Sequence, residues 1–212
     1  MKPARLKLLQ LRDQVDARGA DMQVEALRFQ ALAGATAPRA VSAWQLFQTP
    51  EHVAASMVAR ALWNLPDLNT LRILEPSAGL GRIYRALRAR TDAHITLIET
   101  APQCAAELYR ETEFDTAAKL TQADFLTVSA DQVGRFDVVV MNPPFERGTD
   151  VKHIRHAQTL LNPGGRLVSL CYAGSVQRRT FENAPGWTWN MLPAGTFRAE
   201  GTSADVAMIT NF

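Results

Sequence analysis

The stretch Phe136-Asp137-Val138-Val139-Val140-Met141-Asn142-Pro143-Pro144-Phe145 constrains the fold more than any other. Val138 to Met141 are apolar without alternation, the pattern of a strand covered on both faces, as the inner strands of parallel sheets are. Pro143 has no N–H for a ladder, so the strand must stop there. Proline at 143 pushes Asn142 toward an extended backbone, and Pro144 does the same to residue 143. The Asn142 side chain and the Pro143 carbonyl can then face one pocket beside the Phe145 ring. Two acceptors next to an aromatic ring suit a planar nitrogen.

From residue 71 onward, strands alternate with helices, which predicts a parallel sheet with crossovers. Strands are expected at Leu71–Leu74, Ile95–Ile98, Ala118–Thr121, Phe136–Met141 and Arg166–Cys171. Helices are expected over Arg82–Arg90, Pro102–Arg110 and about Val151–Leu161, with a turn at Asn162-Pro163-Gly164-Gly165. The last two strands, Thr188–Leu192 and Val206–Thr210, have no helix between them and read as an antiparallel pair.

Upstream of residue 71 the pattern is helical. Leu6, Leu9, Val15, Met22, Leu27 and Phe29 recur at roughly helical spacing from Pro3 to Leu32, with Gly19 as a break, so two helices or one bent helix are expected. Residues 34–38 form a small-residue linker. Thr49 as N-cap, Pro50 at the first helical position and Glu51 in the first turn predict a helix to about Trp63. The chain thus divides into an N-terminal helical extension, 1–40, and one α/β domain, 41–212.

Its 212 residues can bury one good-sized core, and the net charge of +2 imposes no nucleic-acid partner. Cys104 and Cys171 have no metal-ligand spacing to His52, His94, His153 or His156. No metal site is expected, both thiols read as packing residues, and a reducing, cytoplasmic setting follows. No apolar run reaches membrane-spanning length, and the first residues do not read as a signal peptide, so a soluble protein is expected.

Glu75-Pro76-Ser77-Ala78-Gly79-Leu80-Gly81 follows the first strand and opens a helix, where backbone N–H groups can approach a ligand. A dinucleotide site prefers a third glycine where this chain has Tyr84, which weakens a nicotinamide reading. Glu99 ends the second strand, placed to accept from two ribose hydroxyls. After the third strand, Asp124 could accept from an exocyclic amine while Phe125 covers an adenine face; an Asp helix cap beside a core Phe fits as well. Together these residues describe a pocket for an adenosine at the carboxyl edge of the sheet.

On these residues, about 44 to 212 of the chain resembles the S-adenosylmethionine-dependent amino-methyltransferases, most closely the DNA N6-adenine methyltransferases. The resemblance implies a Rossmann-like class I methyltransferase fold, with a seven-stranded, mostly parallel sheet and a terminal antiparallel strand. It implies S-adenosylmethionine as cofactor, held by Phe47, Thr49, Pro50, Glu75, Pro76, Ser77, Ala78, Gly79, Gly81, Glu99, Thr100, Asp124, Phe125 and Asn142. Asn142, Pro143, Pro144 and Phe145 become the catalytic motif. In that motif the Asn142 oxygen and Pro143 carbonyl accept the hydrogens of an adenine N6 amine, and Phe145 stacks on the base. Leu192 to Phe197 and Gly201-Thr202 are similar to the late strand-loop-strand region of these enzymes.

DNA is the expected partner, with Arg147, Lys152, Arg155, Arg178, Arg179 and Arg198 on phosphates, and His153 beside them. A duplex adenine would have to be flipped out. Little chain remains for a recognition region, which predicts a short or relaxed site and suits a phage or mobile-element enzyme. The N-terminal extension reads as structural or as a contact for a homodimer or partner subunit. Competing readings are the same chemistry on RNA adenine or on a glutamine amide, and a catalytically silent nucleic-acid-binding module of the same fold.

Overall fold

The computed structural model describes residues 48–212. The expected helices over Pro3–Leu32, the linker after them and Phe47 lie outside the described residues.

The described chain folds around one seven-stranded sheet: β1 Arg72–Pro76, β2 His94–Glu99, β3 Ala118–Gln122, β4 Phe136–Met141, β5 Leu161–Tyr172, β6 Trp187–Met191 and β7 Val206–Asn211. The strand order is β3-β2-β1-β4-β5-β7-β6. β1 to β5 pair in parallel, and β7 runs antiparallel between β5 and β6. This is the Rossmann-like methyltransferase architecture expected from the sequence. The main helices are α1 Glu51–Leu62, α2 Arg82–Arg88, α3 Pro102–Thr112 and α4 Thr149–Thr159.

Successive residues of the inner strands enter opposite cores. Ile73, Val138, Val140, Val168 and Leu170 join Met57, Val58, Leu87 and Leu108 on one face, where α1 and α2 pack. Leu74, Val139, Met141, Leu167 and Cys171 join Phe136, Ile154, Ala157 and Phe181 on the other, against α4. Val138 to Met141 are each 0% exposed, so the apolar run is apolar because both faces are covered.

Two local expectations change. Pro50 is the residue that caps α1, with its carbonyl accepting from Val53 N at 3.0 Å and Ala54 N at 2.9 Å. Its ψ of 142° is extended, so the helix starts one residue later than predicted and Thr49 does not cap it. At the other end of the sheet, the Asn162–Gly165 turn lies within β5: the partner of Phe136 is Leu161 and that of Val138 is Arg166, a register shift that absorbs the extra residues.

β1 lies between β2 and β4, so the connections leaving β1 and β4 diverge to opposite sides. That divergence opens a crevice at the carboxyl edge of the sheet, between the glycine loop and the Asn142 turn.

Candidate active site

The glycine loop leaves β1 through a tight backbone. Ser77 N and Ala78 N both donate to Ile98 O, at 2.8 and 3.0 Å, which draws the loop over the end of β2. Ser77 takes φ +86°, a left-handed conformation that costs a non-glycine residue about 1–2 kcal/mol. Gly81, at φ +77°, starts α2, and a β-carbon there would stand 2.9 Å from the Leu108 side chain, so any other residue would be strained and would have to displace Leu108. Gly79 differs: at φ +55° its missing β-carbon points at space with no atom within 4 Å.

Two carboxylates flank this loop. Glu99 is 6% exposed and accepts from Gly79 N and Ala101 N, each at 2.7 Å. Glu75 is 1% exposed, and its Oε2 is buried without a hydrogen-bond partner among the described residues. Burial holds its carboxyl well above the usual carboxylate range, although Arg85 pulls the other way. An acid kept in so unfavourable a place is a candidate to meet a cation.

At the end of β4, Asn142 Nδ2 donates to Thr49 Oγ1 at 3.1 Å. Thr49 is 4% exposed, and its hydroxyl serves the catalytic-motif candidate rather than the helix it precedes. Gln48 completes the link to the glycine-loop side: its Oε1 accepts from Arg82 Nε at 2.8 Å, and Arg82 also pairs with Glu51 at 3.1 Å. Pro143 is buried, while Phe145 is half-buried against the α1 face of the core.

The turn after Phe145 is anchored by a residue that sequence reasoning missed. Asp150 is 0% exposed at the start of α4. It accepts from Gln177 Nε2 at 2.9 and 3.0 Å and from Tyr172 N at 3.0 Å, joining α4 to the end of β5 and the turn beyond it. Burial raises its carboxyl above the ordinary value, opposed by those hydrogen bonds. The only local hint was an acid in the first turn of a helix, which reads as a surface cap.

One turn further on, His153 approaches the glycine loop, with Nδ1 3.4 Å from Ser77 Oγ. It is 7% exposed, and burial pulls its imidazole down to about 4, so the ring is neutral at neutral pH. It therefore does not stand among the phosphate-facing cations, as expected from its neighbours in sequence.

Other predicted residues also move. Phe125 is 3% exposed, its ring 5.5 Å from that of His153 and 4.8 Å from that of His156. It packs in the core on the α4 side of the sheet, in the short turn that Asp124 caps. Asp124 itself is exposed and caps that turn, Oδ1 accepting from Leu126 N at 3.0 Å. Pro76 and Ala78 are buried under the loop, and Thr100 is exposed beside Glu99. Arg178 is bound to Glu182 at 2.8 Å and lies over the Trp189 ring, while Arg155 lies over Phe181. Both cations thus have structural work. Arg147, Lys152, Arg179 and Arg198 are exposed. Cys104 and Cys171 are buried, and burial pushes the Cys104 thiol up to about 12.

The profile of the methyltransferase small domain family matches residues 54–183. The tRNA1(Val) (adenine(37)-N6)-methyltransferase of Histophilus somni (strain 129Pt) is 31% identical over 91 residues, covering 41% of this chain and 39% of that protein. The protein of the same name from Enterobacter sp. (strain 638) is 32% identical over 91 residues, covering 40% and 37%. The chain thus spans about two fifths of the length of these curated relatives. Among solved structures, the type I restriction-modification methyltransferase subunit from Streptococcus thermophilus superposes with a TM-score of 0.65 at 18% identity, covering 79% of this chain and 45% of that one. At that identity the likeness is one of fold.

Proposed function

Because this chain belongs to the methyltransferase small domain family, whose methyl donor is S-adenosylmethionine, we propose that it methylates the exocyclic N6 amine of an adenine in a nucleic acid. The observation that carries this reading is the bond from Asn142 Nδ2 to Thr49 Oγ1 at 3.1 Å. It holds the Asn142 amide beside a buried hydroxyl at the carboxyl edge of the sheet, where a planar amine would need an acceptor.

The residues fit the cofactor. Gly79 opens onto space with no atom within 4 Å, and Glu75 carries a buried carboxylate oxygen that matches a cation. Bound S-adenosylmethionine supplies a methyl group on a positively charged sulfur. Glu75 would hold the ammonium of its methionine end, Glu99 the ribose hydroxyls and Asp124 the adenine amine, with the glycine loop along its length.

The chain's own residues then prepare the target. An adenine N6 lone pair is delocalised into the ring, which makes the amine a poor nucleophile. The Asn142 oxygen and the Pro143 carbonyl accept its two hydrogens, which draws the nitrogen toward tetrahedral geometry, and Phe145 packs on the base. Positioning supplies most of the catalysis. No acidic base is needed before transfer, because the methylated, cationic nitrogen loses its proton to water.

DNA is supported by the Gln48-Thr49-Pro50 segment at the site. A second reading, RNA, is favoured by the two relatives named as tRNA adenine-N6 methyltransferases. Isotope-labelled S-adenosylmethionine, offered with DNA, tRNA and a protein lysate and followed by nucleoside and amino-acid mass spectrometry, tests the proposal. N6-methyladenine in either nucleic acid is the expected product, and the polymer carrying it decides between the two. Label confined to glutamine, or cofactor binding without transfer, overturns the proposal.

A further inference from the structure

Tyr172 ends β5 at the same sheet edge as Asn142. Ser169 is the register partner of Met141, so Tyr172 stands three residues farther along, level with the turn from Asn142 to Phe145. Its backbone is fixed twice: the N–H donates to Asp150 at 3.0 Å, and the residue pairs with Val206 on β7. One side of the ring lies against the backbone of Gly174, where a β-carbon would meet two ring carbons at 2.8 Å.

Tyr172 is nevertheless 43% exposed, and Val176, in the short helix Ser175–Gln177 that follows, is 46% exposed. Arg179, in the helical segment Arg178–Glu182 after it, is exposed. Phe181, a few residues later, is 0% exposed, so of these two aromatics only Tyr172 reaches the surface. A ring mounted rigidly on glycine, wet on its other side and followed by a cation, has the makeup of a stacking platform. Any base offers it a π-face, and arginine takes the phosphate.

We propose that Tyr172 stacks an unpaired base flanking the target adenine, with Arg179 on the adjoining phosphate. The inference rests on the nucleic-acid reading above and adds to it a preference for a target whose neighbour is unstacked.

The test uses the full chain and single-stranded DNA and RNA oligonucleotides containing one adenine, with or without an abasic nucleotide on either side. Tyr172→Ala raises KM for the oligonucleotide about tenfold, while kcat and the thermal shift given by S-adenosylmethionine stay close to wild type. Tyr172→Phe and Tyr172→Trp retain the wild-type KM. In the wild type, an abasic neighbour on one side produces the same loss, and in Tyr172→Ala it adds nothing further. An unchanged KM in Tyr172→Ala overturns the platform while leaving the methylation reading intact. So does a loss that phenylalanine cannot rescue, or one accompanied by a lost cofactor shift. If the wild type methylates neither polymer, the functional reading falls first and the platform with it.

Discussion

The two ends of the carboxyl sheet edge are built by opposite means. At the glycine-loop end, Glu75 and Glu99 are nearly or fully buried, and the loop's N–H groups are tied to the Ile98 carbonyl and the Glu99 carboxylate. At the end running from Asn142 to β7, Arg147, Tyr172, Arg179 and Arg198 are exposed, and a single buried carboxylate, Asp150, joins the elements beneath them. A rigid, dehydrated pocket suits one small molecule that is the same at every turnover. A wet, cationic margin suits a long polyanion whose sequence varies. Asn142 stands at the junction, held from the Thr49 side.

On that division the largest effect falls at the junction. Asn142→Ala should lower kcat by at least about a hundredfold, the scale of losing one group that acts on the reacting centre. The thermal shift given by S-adenosylmethionine should persist; loss of both together would show that the residue belongs to the cofactor end. Asp150→Ala should come next, on stability rather than chemistry. It leaves the Gln177 amide and the Tyr172 N–H without their acceptor, and at about 1–3 kcal/mol for each such group the fold should lose roughly 2–6 kcal/mol in denaturant titration.

Glu75→Gln sharpens the cofactor end. The folded pKa of Glu75 is raised, so its contribution to stability is fully present below the unfolded pKa and is lost as pH rises through the folded value. The unliganded variant should therefore gain stability over the wild type as pH rises. Pairing with a cofactor ammonium reverses the cost, so the wild-type thermal shift from S-adenosylmethionine should grow across the same pH window, while the variant's stays flat. The difference between the two proteins removes the opposite contribution of His153, whose lowered pKa costs stability as pH falls from its unfolded value toward about 4. A parallel pH dependence in both proteins would exclude Glu75 from cofactor binding. The smallest effect is expected from Thr49→Val: one neutral hydrogen bond, about 1 kcal/mol, or about fivefold in kcat, with cofactor binding kept.

Much of this was legible in the sequence because it is local. Val138 to Met141 lack alternation since both sheet faces are covered, and two prolines end the strand within the same ten residues. Gly79 and Gly81 mark a turn whose φ values other residues resist. The ring of Phe125 could not be placed, because a Phe after a strand packs inward or outward according to what α4 brings against it. His153 and Arg178 looked like phosphate-facing groups, and Asp150 drew no reading. Their partners Ser77, Gln177, Tyr172 and Trp189 come from other elements.

The sequence alone determined the order of strands and helices, the glycine loop, the acids that follow the first three strands and the Asn-Pro-Pro-Phe ending, because backbone preference and apolar period act over a few residues. Only the tertiary structure decided which way Asn142 is held. The hydroxyl that holds it is 93 residues away, and no local pattern encodes a bond between two side chains that meet only once the sheet has formed.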